Sequence, residues 1–282
     1  MTSFQRGIKR VAIILVYIAI ISVIATALYY LFRAKPTCTD GKRNQGEEKI
    51  DCGGPCAKCE EIPKIENIQI LQKALIPAGP GKYDVLVKIK NPNALFGVAG
   101  LDYSLNFLNQ EGIIVEKRDG SSFILPAQTK YVLEFNIALG EKPESFVFNV
   151  RSFRWQKFSE SEEPNVVVYG REVSLPGSIG EPTQLKAKIQ NRSNYDFKKV
   201  TTKVVFKDVE GMPVAVNQTD SNDVRANEER EVIFNWNTVL PKNIDLQSIE
   251  IEPEVNAFGS ENFMKKYGSP EQYQSYDVDD AK

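Results

Sequence analysis

The sequence predicts an all-β ectodomain of two tandem β-sandwiches that follows a single N-terminal transmembrane α-helix. Three observations favour this fold class. An uncharged apolar run lies near the N-terminus, apolar residues alternate with period two through most of the remaining chain, and that alternation recurs after about 100 residues.

The apolar run covers residues 11–32 and contains no charged residue. About 20 apolar residues in helical form span a bilayer, so the run predicts a transmembrane helix. Residues 1–10 carry Arg6, Lys9 and Arg10 without an acidic side chain, which favours a cytoplasmic N-terminus. The prediction is a single-pass protein of the cell membrane whose C-terminal bulk is extracytoplasmic.

Cleavage of this segment is the alternative to an anchor. Residues 25–27 read Ala-Thr-Ala, the small-residue pattern of a signal-peptide cleavage site, which would release the chain after Ala27. The apolar run continues past this site to Phe32 and is long for a signal peptide. An uncleaved anchor is therefore favoured.

Composition and motifs disfavour several classes of function. The formal net charge is −2, so no basic field indicates a nucleic-acid partner. The chain has no histidine, the commonest general base. It also lacks the G-x-x-x-x-G-K-[ST], G-x-G-x-x-G and G-x-S-x-G motifs of phosphate-binding, dinucleotide-binding and hydrolase sites. The sequence therefore predicts a protein that is not an enzyme.

Strand patterns occur twice along the chain. The first set has apolar residues at alternate positions, namely Tyr83, Val85, Val87 and Ile89; Leu101, Tyr103, Leu105 and Phe107; and Tyr131, Leu133, Phe135 and Ile137. Matching blocks follow at spacings of 99 or 100 residues, as with Phe107 and Phe206. This recurrence predicts two sandwich domains, 62–158 and 164–258, on either side of the polar linker 159–164.

The repeats carry a resemblance to known domains. The strand-then-Asn elements are VLVKIKNPN and LKAKIQNRS, and the later strands end in FLNQEGIIV and FKDVEGMPV. On these residues the chain resembles the FxLYD-type and water-stress/hypersensitive-type immunoglobulin-like sandwiches found outside bacterial and archaeal membranes. The resemblance implies binding, spacing or assembly, and no catalytic residue is carried over.

All cysteines lie in residues 38–59. Outside the cytoplasm, four cysteines in so short a segment indicate two disulfide bonds, and three pairings are open. Zinc is the alternative, although only one C-x-x-C knuckle is present where a four-cysteine zinc site typically has two. The candidate disulfide residues are Cys38, Cys52, Cys56 and Cys59.

The same segment resembles a short extracytoplasmic module, C-x-D-G-x-x-N-x-x-E-x-x-x-D-C-G-G-x-C-x-x-C, which occurs beside membrane anchors and adhesive domains. Its oxygen-bearing side chains form a candidate calcium site, because calcium binds six to eight such oxygens in irregular geometry. The alternative is that these are solvated polar side chains, with Asp40 or Asn44 accepting local backbone amides in Asx turns, so that no cofactor is bound. The candidate ligands are Asp40, Asn44, Glu47 and Asp51.

Two further features concern the second repeat and the C-terminus. Asn191 and Asn217 stand in N-x-[ST] sequons and are candidate N-glycosylation sites. Residues 261–282 are polar and lack periodicity, which predicts a flexible acidic tail with room for a short docking motif.

The function predicted from these features is that of a non-catalytic, membrane-anchored cell-envelope or surface protein. Its sandwiches would serve as binding or spacer modules for an unknown protein or glycan partner. Two alternatives stay open: a subunit of a membrane assembly such as a secretion or pilus-like machine, and a calcium- or glycan-dependent adhesin.

Overall fold

A computed structural model describes residues 3–32, 37–39, 42–48, 50–58, 65–158, 163–176, 182–236, 240–241 and 243–267. The chain divides into two compact units, Met1–Pro63 and Lys64–Lys282. The first unit holds an α-helix and the cysteine segment, and the regular elements of the second are β-strands followed by a 3₁₀ turn and one short helix. The structure therefore confirms the predicted all-β fold class with one N-terminal helix.

Helix α1 spans Ser3–Phe32. Its stretch Ile13–Tyr30 is long and apolar enough to cross a membrane, and none of that stretch is buried in the structure. A helix that is apolar on every side suits a bilayer better than water, since a surface helix of a globular domain keeps a polar face. The structure confirms a helix that can span a membrane, while the orientation of the chain stays a prediction.

The first sandwich consists of two antiparallel sheets with strand orders β1-β2-β5 and β4-β3-β6, and a short strand β7 also pairs with β3. Alternate residues of β2 and β3, such as Val87 and Leu105, meet in a buried core, as the period-two pattern predicts. The strands are β1 (Gln69–Gly79), β2 (Lys82–Lys90), β3 (Phe96–Leu108), β4 (Ile114–Ile124), β5 (Thr129–Ala138), β6 (Ser145–Ser152) and β7 (Trp155–Lys157).

The second sandwich has the sheet orders β8-β9-β12 and β11-β10-β13. The strand order matches that of the first sandwich. The sheet β8-β9-β12 corresponds to β1-β2-β5, and the sheet β11-β10-β13 corresponds to β4-β3-β6. Its own core includes Ile189, Phe206 and Phe234. The strands are β8 (Val166–Ser174), β9 (Thr183–Asn191), β10 (Phe197–Lys207), β11 (Pro213–Val224), β12 (Glu229–Trp236) and β13 (Glu250–Val255).

A buried asparagine closes the same corner in each sandwich. The Nδ2 of Asn91 donates to the carbonyl oxygens of Phe96 at 2.6 Å and Leu125 at 2.8 Å. The Nδ2 of Asn191 donates to the carbonyl oxygens of Tyr195 at 2.7 Å and Arg225 at 3.0 Å. Both asparagines are 0% exposed. The strand-then-Asn element thus ties the loop after the strand to the next hairpin.

The predicted flexible tail is wrong for residues 261–267. Helix α2 (Glu261–Tyr267) follows a 3₁₀ turn (Ala257–Gly259), and its Phe263 and Tyr267 are 1% exposed. These rings are four residues apart on one helix face and pack in a cluster with Phe123 and Phe158 of the first sandwich. Burial of this aromatic face explains why residues 261–267 form an ordered helix. The rest of the predicted tail, 268–282, lies outside the described residues.

Candidate functional site at the interface of the two sandwiches

The two sandwiches pack directly against each other. Ile76, Leu86 and Leu133 of the first sandwich form one apolar cluster with Val205 and Val216 of the second. Leu86 is fully buried although it points away from its own core, because the second sandwich covers that face. Such a contact restricts the relative motion of two domains, whereas a flexible linker alone would leave them independent.

The prediction of one shared face for the alternating apolar residues of β5 is wrong. Tyr131, Leu133 and Phe135 face the second sandwich, whereas Ile137 faces the core of the first, as Val132 does. The register slips opposite β2 near Asn136, whose φ is 54°, and this bulge returns Ile137 to the core. The outer residues are apolar because they form the interface, so alternation alone could not tell the two faces apart.

A buried ionic triad crosses the interface. The carboxylate of Glu254, on β13, forms ion pairs with Lys130 of the first sandwich at 2.9 Å and with Lys203 on β10. Lys203 Nζ also donates to the Tyr131 carbonyl oxygen at 2.6 Å. The side chain of Lys130 is 2% exposed and that of Glu254 is 11% exposed. The triad therefore joins the two sandwiches where solvent screening is weak.

Lys130 has further partners within the first sandwich. Its Nζ donates to the Phe123 carbonyl oxygen at 2.9 Å and to Ser122 Oγ at 3.1 Å, and it lies 3.7 Å from the centroid of the Phe123 ring. Burial lowers the pKa of Lys130 to about 7, against the opposing effect of the Glu254 carboxylate. Burial would raise the pKa of Glu254, but Lys130 and Lys203 outweigh it and hold that pKa below its usual range.

A second, more exposed ionic group lies beside the triad. Glu250 on β13 pairs with Lys207 of β10 and, at 3.5 Å, with Lys88 of the first sandwich. Glu250 also accepts a hydrogen bond from the Tyr131 hydroxyl. Burial is the larger cause that raises the pKa of Tyr131, and this hydrogen bond is the second. Because both Lys88 and Glu250 are partly exposed, this contact contributes less to stability than the buried triad.

The pKa of Lys130 predicts a rise of stability with pH. Its pKa is about 7 in the folded protein, below the ordinary value of 10.5, so the unfolded chain binds more protons between these values. The contribution of Lys130 to the free energy of unfolding should therefore increase from about pH 7 to about pH 10.5. The measurement is urea unfolding of the full chain in detergent micelles. The Lys130→Met variant should lose this rise, and an undiminished rise in that variant would contradict the assignment.

A cleft of about 670 Å³ opens along one side of the interface. Ser121 and Ser122 of β4 and Glu134 of β5 line it on the first sandwich, and Lys199 and Thr201 of β10 line it on the second. This volume lies within the range of about 300–1,000 Å³ that is usual for ligand sites. The cleft is the candidate functional site, and sequence analysis missed it because its walls come from different sandwiches.

Hydrogen bonds fix the polar wall of the cleft. The Tyr103 hydroxyl donates to Glu134 Oε1 at 2.6 Å, and burial together with this bond raises the pKa of Tyr103. On the opposite wall, Thr201 Oγ1 donates to Asp220 Oδ1 at 2.6 Å, and Lys199 pairs with Asp220 at 3.3 Å. The wall of the second sandwich therefore carries acidic as well as basic groups.

Gly120 allows the Tyr103 ring to reach the cleft. A Cβ at position 120 would lie 2.4 Å from the Tyr103 ring, so Gly120→Ala must displace the ring or the strand. We expect this variant to lose about 1–3 kcal/mol of unfolding free energy, measured by urea denaturation. Gly140→Ala is the matched control, since nothing lies within 4 Å of a Cβ built there. Equal losses in the two variants would contradict this packing.

The cysteine segment contains a disulfide between Cys38 and Cys56, whose Cα atoms are 5.6 Å apart. Cys52 is also disulfide-bonded, and Cys59 lies outside the described residues. The sulfurs of Cys38 and Cys56 lie close to the Glu47 carboxylate, but a disulfide offers no thiolate to a metal ion. The disulfide between Cys38 and Cys56 thus agrees with the predicted disulfide bonding of this segment. It leaves these two residues unable to ligate zinc.

Glu47 has a structural role in this segment. It is 3% exposed, and its Oε2 accepts the backbone N–H of Asn44 at 3.1 Å and of Asp51 at 3.3 Å. These bonds hold the loop between the cysteines, whereas the turn alternative assigned such bonds to Asp40 or Asn44. The structure thus brings Asn44, Glu47 and Asp51 together through backbone contacts. Asp40, the fourth candidate calcium ligand, lies outside the described residues, and calcium binding stays a prediction.

The structure separates the two sequons. Asn191 is fully buried and its amide donates two hydrogen bonds to backbone carbonyls, so a glycan at this position is incompatible with the folded corner. The glycosylation prediction for Asn191 is therefore wrong. Asn217 is half-buried on β11, where its Nδ2 donates to the Asn235 carbonyl oxygen at 2.8 Å, and its glycosylation stays a prediction.

No protein-family model and no curated protein matches the chain. Among solved structures, red sea bream transglutaminase shows 11% identity and a TM-score of 0.21, over 69% of this chain and 30% of that one. The C-terminal globular domain of an oligosaccharyltransferase from Pyrococcus abyssi shows 14% identity and a TM-score of 0.17, over 67% of this chain and 45% of that one. The chain spans less than half of either structure, and these TM-scores are too low to show a shared fold.

Proposed function

We propose that this protein is a non-catalytic, membrane-anchored protein of the cell envelope that presents two joined immunoglobulin-like sandwiches outside the membrane. The observation that carries the proposal is the buried triad of Lys130, Lys203 and Glu254 across the sandwich interface. Buried charges paired in this way favour one relative arrangement of the two domains. A fixed pair suits the presentation of a composite surface, for which independent domains on a flexible linker would be poorly suited.

The repeat architecture supports this proposal. The two halves share their strand order, and Asn91 and Asn191 make equivalent hydrogen bonds at equivalent corners. We take this as support for two copies of one immunoglobulin-like domain, related to the FxLYD and water-stress types. Duplication followed by packing of one copy on the other creates a cleft that neither copy has alone.

The disulfide supports an extracytoplasmic location for the bulk of the chain. Disulfides persist in oxidising compartments and are rare in the cytosol, so the bond of Cys38 and Cys56 fits a location outside the membrane. The basic residues before α1 favour the same orientation, with the N-terminus in the cytoplasm.

Thiol labelling in intact cells of the native host tests anchoring and orientation. Thiols are alkylated before any reduction, and the protein is recovered from the membrane fraction for intact-mass measurement. We expect a full-length chain with no labelled cysteine. Labelled thiols on Cys38 and Cys56 would contradict the extracytoplasmic assignment, and a chain beginning at Leu28 would contradict the anchor.

A subunit of a membrane assembly is the second candidate, and it is favoured by the exposed lateral surface of α1. An apolar helix can pair laterally with other transmembrane helices as well as anchor the chain. Purification in mild detergent separates the two proposals. A subunit should retain stoichiometric transmembrane partners, whereas an anchored binding protein should be recovered without them.

A further inference from the structure

A second cleft, of about 490 Å³, lies between the two sandwiches. It shares only Phe135 with the cleft described above. The first sandwich contributes the end of β1 and parts of β2 and β5, and the second contributes β11 and the end of β12. Most of its lining is apolar, with Ile76, Val214 and Trp236 among the residues. Its volume lies within the range of about 300–1,000 Å³ that is usual for small-molecule sites.

Asp84 is the only charged residue among the described residues that line this cleft. It lies on β2 two positions before Leu86, so both side chains point to the interface. Its Oδ1 accepts the backbone N–H of Asn136 at 2.8 Å. Burial raises the pKa of Asp84, and this hydrogen bond opposes the rise only in part. A half-buried carboxylate thus lies in an apolar cleft whose described lining offers no cation, and a positive charge there would stabilise it.

The corresponding position of the second sandwich carries no charge. At the spacings of 99 and 100 residues, Gln184 corresponds to Asp84 and Asn235 corresponds to Asn136. Gln184 Nε2 donates to Asn235 Oδ1 at 2.9 Å, and the two residues pair in regular register. In the first sandwich the bulge of β5 instead places the Asn136 N–H against the carboxylate. Since bulges re-aim side chains and occur often beside binding sites, the acid and the bulge belong to the cleft rather than to the needs of the fold.

We propose that this second cleft binds a small organic ammonium ion, with the ammonium group against Asp84 and the apolar body against the lining residues of β1 and β11. The inference goes beyond the proposed function, since it names a class of ligand. It rests only on the joined pair of sandwiches, because both of them line the cleft. It does not depend on the membrane anchor or on its orientation.

The lining disfavours anions and sugars. An anion would meet the Asp84 carboxylate, and no lysine or arginine is among the described residues of the lining. The Asn217 side chain is engaged at both ends, because Nδ2 donates to the Asn235 carbonyl oxygen and Oδ1 accepts the Gln218 N–H. This amide therefore offers little to the hydroxyl groups of a sugar. The half-buried ring of Phe135 suits the proposed ligand, since aromatic faces attract organic cations.

The test measures the binding of para-fluorobenzylammonium to the full chain by fluorine NMR, in micelles of a neutral detergent. Two control probes, para-fluorobenzyl alcohol and para-fluorobenzoate, keep the fluorinated ring and replace the positive charge by no charge or by a negative one. We expect saturable binding of the ammonium probe with a dissociation constant below about 1 mM. Both control probes should bind at least about tenfold more weakly, because neither carries a cation for the carboxylate.

Asp84→Asn is the decisive variant, because asparagine keeps an oxygen that can accept the Asn136 N–H and loses the negative charge. The matched control is Asp102→Asn, which removes an exposed carboxylate of β3 outside this cleft. We expect Asp84→Asn to weaken ammonium binding at least about tenfold and Asp102→Asn to leave it unchanged. Comparison in the same micelles removes the partitioning of the probe into detergent. The urea midpoint of Asp84→Asn should not fall, because burial disfavours the charge that this variant removes.

Several results would overturn the proposal. These are no saturable binding of the ammonium probe up to about 1 mM, undiminished binding in Asp84→Asn, and equal binding of the three probes. An acetylated lysine-leucine peptide that binds at least about tenfold more tightly than the ammonium probe would assign the cleft to a basic side chain of a partner protein instead. None of these results bears on the thiol-labelling experiment, so failure here leaves the anchoring proposal separately testable.

Discussion

The Glu254→Ala variant is expected to lose about 3–5 kcal/mol of unfolding free energy, measured by urea denaturation of the full chain in detergent micelles. The substitution removes the carboxylate that lies between Lys130 and Lys203, and it leaves both buried lysines without their counter-charge. Removal of one partner from a buried ion pair is costly because the remaining charge has lost both its water and its counter-charge.

Two controls separate charge loss from loss of packing. Glu250→Ala should cost at most about 1 kcal/mol, since Glu250 is a third exposed and its ion pairs are screened. The triple variant Lys130→Met, Lys203→Met and Glu254→Leu should be far more stable than Glu254→Ala, because apolar residues replace the whole triad. Equal losses for Glu254→Ala and Glu250→Ala would contradict the role assigned to the triad.

The Asn91→Ala variant is expected to be comparably destabilised, by at least about 3 kcal/mol. Asn91 is fully buried; its amide donates to two carbonyl oxygens, and its Oδ1 accepts the backbone N–H of Asn93 at 3.0 Å. Each buried group that loses its partner costs about 1–3 kcal/mol. Urea denaturation measures the loss.

The second sandwich provides the control for this prediction. Asn191→Ala should cause a loss of similar size, because Asn191 makes the equivalent bonds and its Oδ1 accepts the Ser193 N–H at 3.0 Å. Exposed Asn194→Ala, in the same loop as Asn191, should change stability by less than about 0.5 kcal/mol. Losses below about 1 kcal/mol in both buried-site variants would refute a structural role for the corner asparagines.

The strands and their cores could be predicted because they depend on local patterns. Alternation in β2 and β3 placed Val85, Val87 and Leu105 correctly, since each of these residues faces the core of its own sandwich. The pattern at β5 failed because Leu133 and Val132 are both apolar and both buried, one toward each sandwich. No local pattern distinguishes a core from an interface when both faces are covered.

The candidate site could not be predicted from the sequence for the same reason. The sequence predicts an exposed charge on a strand at Lys130, and the packing of β13 from the other sandwich brings Glu254 to it. The spacing of Phe263 and Tyr267, four residues apart, did indicate an apolar helix face in α2. Sequence analysis missed this face because the surrounding residues are polar. The pairing of Cys38 with Cys56 was one of several open choices until the chain geometry was known.

The central claim is that the two sandwiches form one unit. The most direct test is to measure the unfolding of each sandwich separately within the same chain. The chain has two tryptophans, and one lies in each core: Trp155 in the first sandwich and Trp236 in the second. Trp155→Phe and Trp236→Phe therefore give full-length chains in which fluorescence reports one sandwich, while circular dichroism reports both. We predict that the urea midpoints from fluorescence and circular dichroism coincide in each variant, and that adding Glu254→Ala separates them. Two distinct midpoints with Glu254 intact would contradict the joined pair and, with it, the proposed composite surface.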